Sequence, residues 1–304
     1  MPAPEYSRSP RSLSLPHPLP RRIIPYPDET LDSYLQRLAA ANRLDAQALR
    51  NYLTNDHRKT VPVPLNRLAA LSGLPPRTLC HAIPALWSQV DPSHRVITDG
   101  LPPGTNSAIA CRFCTLARGH QETVWCWRHH EIVVCFRHRR WIGPGTLAFR
   151  SFQPDLTHQP DILQAAKRHR RLLRRHGRKR VDSAYLKAKN ICHQWIDEYS
   201  HDGGFERRLD IFHGTDWRIK RDDPTFYAAA YPEIIALTRL LASPYWQALA
   251  FENLSYPHRF IEEVRRTVAP HYQWPLGVYR ERYEPLADWI YDQVMIERGP
   301  SLLD

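Results

Sequence analysis

The 304-residue sequence lacks an apolar run long enough to cross a lipid bilayer. A transmembrane helix takes about 20 mostly apolar residues, and even the apolar stretch Ile234–Ala242 is interrupted by Thr238 and Arg239. The N-terminal stretch also lacks the continuous apolar segment and small-residue cleavage site of a secretory signal. We therefore expect a soluble, cytoplasmic protein with no membrane partner.

Acidic residues are few relative to basic ones, with 31 Asp and Glu against 42 Lys and Arg and a net charge of +11. This excess favours an anionic partner, and nucleic acid is the commonest one, although acidic proteins and membranes match the sign equally well. The sequence has no G-x-x-x-x-G-K-[S/T] motif, which argues against an ATPase. A metal-dependent nuclease needs only acidic ligands, so that class stays open as an alternative.

Cysteine is scarce, with six in the chain, and four of them fall between Ala110 and Ile142. Cys111 and Cys114 form a C-x-x-C pair, and Cys135 and His138 form a C-x-x-H pair further along. A two-residue gap lets both side chains of a pair reach one metal, and two pairs complete the tetrahedron of Zn²⁺. We predict one structural zinc ion held by Cys111, Cys114, Cys135 and His138.

The same window allows other interpretations. Cys126, His120, His129 and His130 lie in the same stretch, so the ligand choice stays open, and Cys126 is interpreted as a packed thiol. Disulfides are disfavoured in a reducing compartment. A catalytic zinc normally keeps one position open for water, whereas three cysteines and a histidine fill all four.

The segment Ile162–Val181 contains no acidic residue. Apolar residues at helical spacing, an acid at the start and Gly177 at the end predict a helix over Asp161–His176. A cationic tract of this density would repel itself, so we predict an anionic partner, with a merely solvated face as the alternative. The candidate nucleic-acid contacts are Lys167, Arg168, Arg170, Arg171, Arg174, Arg175, Arg178, Lys179 and Arg180.

Helical periodicity elsewhere predicts a mainly α fold of several helical parts, with a small zinc-binding module that contains short β-strands. The first helix is expected over about 29–42, with Asp28 as its N-cap. Leu65–Leu79 matches a helix-turn-helix with its turn at Gly73, although a helical hairpin that only fills the core has the same pattern. Further helices are expected at 45–53, 182–199, 232–241, 244–253, 257–268 and 285–296.

Composition predicts four parts along the chain. Residues 1–22 mix proline, serine and arginine and are predicted to be a disordered arm. A helical domain with the helix-turn-helix-like element follows over 23–105. The zinc-binding module covers 106–150, and a basic helical domain covers 151–304.

Two separated motifs resemble one family. P-Y-P-D-E-T-L-D-S-Y-L-Q-R-L-A (Pro25–Ala39) and the zinc module ending V-C-F-R-H-R-R-W-I (Val134–Ile142) are similar to the TniQ family of transposon target-selection proteins, most clearly over Ile24–Ile142. The resemblance implies an adaptor and not an enzyme. Family members recognise a DNA target site, or an RNA-guided effector complex bound at one, and recruit an AAA+ ATPase that directs the transposase.

The resemblance also implies that the four residues of the two pairs bind zinc, and a cytoplasmic, nucleoid-associated location is expected with it. Two other functions remain as alternatives. One is a zinc-containing DNA-binding transcription regulator, and the other is the metal-dependent nuclease.

Overall fold

The computed structural model describes residues 16–56, 61–90, 105–146, 152–198, 203–215, 218, 220–252, 258–268 and 285–290. Within these ranges the chain is mainly helical with a few short strands, as the sequence predicts. It divides into two compact units. The first contains the described residues up to Ser107 together with Gly119–Trp127, and the second contains Ala108–Arg118 and the described residues from Arg128 onward.

The predicted zinc module is thus shared between the units in sequence, with both metal-ligand pairs in the second. Most of the predicted disordered arm, residues 1–15, lies outside the described residues, as do residues 91–104. Among the described residues, no helix combines the length and apolar character needed to cross a membrane.

The first unit consists mainly of short helices around one apolar core. The helices are α1 (Leu31–Ala41), α2 (Ala46–Thr54), α3 (Leu65–Ser72), α4 (Pro76–Ala82) and a 3-10 helix over Pro84–Gln89. Each contributes apolar residues at helical spacing to the core, where Leu38, Leu53, Leu68 and Leu79 are fully buried. The helical predictions for this region are confirmed.

The start of α1 differs from the prediction. Thr30 is the N-cap, and its hydroxyl accepts a hydrogen bond from the Ser33 amide at 3.2 Å. Asp28 instead adopts a left-handed backbone conformation with φ of 60°, and its carbonyl accepts from the Trp127 amide at 2.7 Å. The prediction of Asp28 as the cap is wrong because the chain turns there to bond a segment distant in sequence.

Helices α3 and α4 are joined by a tight turn at Gly73, which has a φ of 66°. A side chain at Gly73 would also approach the Arg22 guanidinium, since an added Cβ would lie 2.8 Å from its Nε. The inward faces of both helices belong to the core through Leu68, Ala69 and Leu79. The helix pair is therefore present, and its use in reading DNA stays a prediction.

Two strands carry the chain across the division between the units, β1 (Thr105–Ile109) and β2 (Trp125–His129). The second unit also contains a short helix α5 (Arg112–Leu116) and a hairpin of β3 (Val134–Cys135) and β4 (Arg140–Trp141). In the hairpin the strands are antiparallel, with Val134 opposite Trp141 and Cys135 opposite Arg140.

The rest of the second unit is helical. Its helices are α6 (Pro160–His176), α7 (Arg178–Glu198), α8 (Gly204–His213), α9 (Pro224–Leu241), α10 (Pro244–Glu252) and α11 (His258–Val268), and residues 285–290 are also helical. Helix α9 is buried on nearly all sides, and α6, α7, α8, α10 and α11 all pack against it. A helix that is apolar all round is expected at such a central position.

Helix α6 confirms the prediction for Asp161–His176 to within one residue, and Gly177 ends it with a φ of 78°. Helices α10 and α11 also match their predicted ranges to within one residue, whereas the starts of α7 and α9 differ. Helix α7 begins directly after Gly177, and α9 begins at Pro224 because the Asp223 side chain caps it there by accepting from the Thr225 amide at 2.7 Å. The predicted start at Pro232 is wrong, since that proline lies inside the helix.

Helix α8 was not predicted. The predicted residues 291–296 of the last helix lie outside the described residues.

Candidate metal centre and nucleic-acid interface

The first pair of metal-binding side chains lies at the start of α5. Cys111 occupies the N-cap position and Cys114 the third helical position, so one helical turn brings both sulfurs to the same side. The Thr115 amide donates to the Cys111 carbonyl at 3.0 Å, and this bond closes the turn. The C-x-x-C spacing is therefore held by a short helix rather than by an open loop.

The second pair lies in the β3–β4 hairpin. Cys135 ends β3, and His138 falls in the turn that leads to β4. Arg139, at the end of the turn, has a left-handed backbone with φ of 48°, which lets the chain reverse within four residues. The C-x-x-H pair is thus presented from one tight turn.

The four ligand atoms converge. All of them lie within 4.8 Å of one another. The Cys114 and Cys135 sulfurs are 3.7 Å apart, and the Cys111 sulfur is 3.5 Å from Nδ1 of His138. A tetrahedral zinc site with ordinary bond lengths would separate two sulfurs by about 3.8 Å and a sulfur from a nitrogen by about 3.5 Å. The residues present therefore fit a tetrahedral metal ion.

The protonation of the thiols reflects this crowding. A hydrogen bond from Cys111 lowers the pKa of the Cys135 thiol to about 4, whereas the same contact and burial raise the pKa of Cys111. One thiolate therefore forms readily within the cluster, and a thiolate is the form in which cysteine binds a metal.

A segment far along the chain holds both pairs in place. Gln153 is buried, and its amide group donates to the Ala110 carbonyl at 2.9 Å and accepts from the Arg112 amide at 3.0 Å. Three residues further on, the Leu156 amide donates to the Arg139 carbonyl at 2.8 Å. These residues were not predicted, because nothing in their type or spacing marks them as supports of a metal centre.

The other cysteine and histidine residues of the window have different surroundings. Cys126 is fully buried in β2, and Nδ1 of His120 lies 2.9 Å from Nη1 of Arg37. His130 donates to the Asp182 carboxylate at 2.6 Å, and burial lowers the pKa of His129. Among the described residues, the group that could hold a metal ion consists of the four predicted residues.

The motif at the start of α1 is an internal ion-pair network. Glu29 and Arg37 are both buried, at 0% and 2% exposure. Arg37 donates from Nε and Nη2 to the two carboxylate oxygens at 2.8 and 2.7 Å, and the Ser33 hydroxyl donates to Glu29 at 2.8 Å. Ser33 in turn accepts from the Trp125 amide at 3.0 Å. These polar residues of the motif therefore hold the first unit together.

All nine predicted nucleic-acid contacts are exposed on α6 and the start of α7. The opposite face of α6 is buried through Ile162, Ala166 and Leu172. Arg178 differs from the other eight, because it donates to Glu131 at 2.7 Å and lies 3.6 Å from Asp182. No described carboxylate forms an ion pair with any of the other eight.

A cluster of polar rings surrounds the buried face of α6. His169 is fully buried, and its Nδ1 is 2.8 Å from the Tyr231 hydroxyl. His130 stacks on Tyr185 and His169 with ring centroids 4.4 and 4.8 Å apart. Burial, with a smaller contribution from His130, lowers the pKa of His169 to about 3. The buried face of α6 therefore carries a neutral imidazole, and the exposed face carries its cations.

The family model described as TniQ matches residues 20–141. Over these residues the chain is similar to the TniQ family. No curated protein and no solved structure matches the chain. The matched segment contains the Glu29–Arg37 pair and the four side chains that could hold a metal ion, whereas the basic helix α6 lies beyond it. The match supports a general role as a transposition-associated adaptor.

Proposed function

We propose that this protein is a target-selection adaptor of transposition. It recognises a DNA target site, or a guided effector complex bound at one, and recruits the AAA+ ATPase that regulates the transposase. The match of residues 20–141 to the TniQ family carries this proposal. The protein contributes binding surfaces to the reaction and no catalytic group.

In this proposal the four-residue cluster holds one structural Zn²⁺. Three thiolates and an imidazole fill the tetrahedron, so the ion supplies no open position for water and acts by cross-linking the chain. The cross-link joins α5 to the β3–β4 hairpin, two elements that are separated in sequence and individually too small to hold a core.

The same proposal gives α6 and the start of α7 a role in binding DNA. Eight cations on this surface are exposed, and none is neutralised by a described carboxylate. Such cations bind phosphates and release counterions, which gives affinity and orientation but no base sequence. They are Lys167, Arg168, Arg170, Arg171, Arg174, Arg175, Lys179 and Arg180.

The experiment that tests the adaptor role is co-purification with the AAA+ ATPase of the same transposon at low salt with ATP. We expect a complex with the wild-type protein and with Cys80→Ser, which changes a buried thiol outside the metal cluster. Absence of a complex would contradict the proposal. Binding of a specific operator without the ATPase would favour a transcription regulator, and metal-dependent DNA cleavage would favour a nuclease.

A further inference from the structure

Phe136 links the metal centre to the basic helix. It follows Cys135 and lies in the same turn as His138, between two of the four metal-binding residues. The guanidinium carbon of Arg170 lies over its ring, 4.8 Å from the centroid, and Nζ of Lys167 is 6.0 Å from it. Both distances fall within the range of a cation–π contact.

These contacts involve only one side of the basic surface. Lys167, Arg170 and Arg174 recur at intervals of three and four residues, so they share one flank of α6. Arg168 and Arg175 are displaced toward the other flank by the rotation of about 100° per residue. Phe136 therefore contacts the two cations that begin one row of the predicted phosphate-binding face.

We propose that Phe136 is a positioning residue for DNA binding: its ring holds Arg170 and Lys167 in place, so that occupancy of the metal centre sets the strength of the DNA contact. This inference rests on the proposed DNA binding by α6. A long cationic side chain loses rotamer freedom when it binds a phosphate, and a ring that already restrains it reduces that loss. The cation keeps its N–H donors for the phosphate, since a ring face accepts none of them as a conventional acceptor would.

A bound metal ion would affect DNA binding because it would fix both ends of the turn that contains Phe136. With Cys135 and His138 bound to one ion, the ring has a defined position, and without the ion the turn loses that restraint. Linkage makes the effect reciprocal, so DNA must strengthen metal retention by the same factor by which metal strengthens DNA binding. The occupant of the surface is duplex DNA, because a row of exposed cations along a helix matches a regularly charged phosphate backbone.

The test is a DNA-binding titration at several salt concentrations with Phe136→Leu, which keeps an apolar side chain but removes the ring. Phe113→Leu is the matched control. Phe113 lies between Cys111 and Cys114, and its ring contacts a different cation, Arg140, which is 4.9 Å from the ring centroid. We expect Phe136→Leu to weaken binding about three- to tenfold. The Phe113 variant should bind as the wild type does, and Phe136→Tyr, which restores a ring, should recover the affinity.

Metal content and melting temperature, measured on the same samples, separate positioning from misfolding. A Phe136→Leu protein that keeps its metal and stability but binds more weakly supports the inference, and one that binds with wild-type affinity overturns it. In an Arg170→Gln background, Phe136→Leu should reduce DNA affinity much less than it does in the wild-type background, because the ring then has little left to position. A reduction as large as in the wild-type background would also overturn the inference.

The proposed DNA binding by α6 fails separately, if the wild-type protein shows no salt-dependent binding to duplex DNA, and that result leaves recruitment of the ATPase untouched. Stronger binding to single-stranded RNA or to polyglutamate than to duplex DNA would overturn the choice of occupant.

Discussion

Arg37 donates hydrogen bonds to both carboxylate oxygens of Glu29 in the interior of the first unit, from Nε at 2.8 Å and from Nη2 at 2.7 Å. Its remaining donors reach His120 and the Ile24 carbonyl. A buried ion pair is retained without penalty only when such additional hydrogen bonds satisfy both partners. Replacing either residue alone should therefore destabilise the fold.

The first prediction concerns this pair. Arg37→Met leaves the Glu29 carboxylate buried and unpaired, and it should lower the free energy of unfolding by about 3–5 kcal/mol. Asp32→Asn is the matched control, since it breaks the surface ion pair with Arg50, in which Asp32 is 76% exposed, and should cost less than about 1 kcal/mol. Urea unfolding measures both, and equal costs for the two variants would refute the structural role of the pair.

The second prediction concerns the metal ligands. Purified protein should carry one zinc ion per chain, and Cys135→Ser should lose it together with the folded hairpin, because metal binding in such modules contributes on the order of 10 kcal/mol. Cys126→Ser, a change at a buried cysteine of the same window, should keep the ion. Elemental analysis measures the zinc content of the wild-type protein and of both variants. A folded wild-type protein without metal would overturn the assignment.

A third prediction follows from His169. Its pKa is about 3 in the folded protein against an ordinary value of 6.5, so the unfolded chain binds more protons between those values and stability falls as the pH drops below about 6.5. From about pH 7.5 to 5.5 this group should remove about 1 kcal/mol of unfolding free energy. The groups in contact with it or acting on its charge are His130, Glu131, Arg178, Tyr185 and Tyr231.

The measurement for His169 is a difference between two proteins. His169→Phe keeps a ring in the stack and removes the titrating group, so its stability should change less over the same pH interval. Identical pH profiles for wild type and variant would show that His169 does not stay neutral in the folded protein.

The fourth prediction is the salt dependence of DNA binding. Affinity should fall by about two to four orders of magnitude from about 50 to 200 mM salt. A variant with Arg170, Arg171, Arg174 and Arg175 changed to Gln should bind more weakly with a shallower slope, because fewer counterions are released. Arg178→Gln is the control, since Arg178 is committed to Glu131. Its salt slope should match the wild type, and the same slope in all three proteins would reduce α6 to a solvated face.

Sequence reasoning succeeded where the signal was local. The spacing of Cys111, Cys114, Cys135 and His138 predicted which side chains converge, because two short turns decide that arrangement. The charge pattern of α6 likewise predicted its exposed side. The supports were not predictable: Gln153 contacts a backbone more than forty residues earlier, and a single glutamine carries no sign of that role.

Tertiary contacts also give several charged residues surroundings that the sequence does not indicate. Arg178 belongs to the basic tract by sequence, yet Glu131 lies within 2.7 Å of it. Arg37 and Glu29 look like surface charges of an amphipathic helix, but they are buried against each other. Periodicity places a residue on a face of its own helix, and it does not show which distant segment covers that face.

The adaptor role is tested most directly by reconstitution with three components: labelled target DNA, the AAA+ ATPase of the same transposon and this protein, with ATP. We expect the ATPase to be retained on the DNA only when this protein is present, and to be retained poorly with the variant in which Arg170, Arg171, Arg174 and Arg175 are changed to Gln. Equal retention of the ATPase with and without this protein would contradict the account.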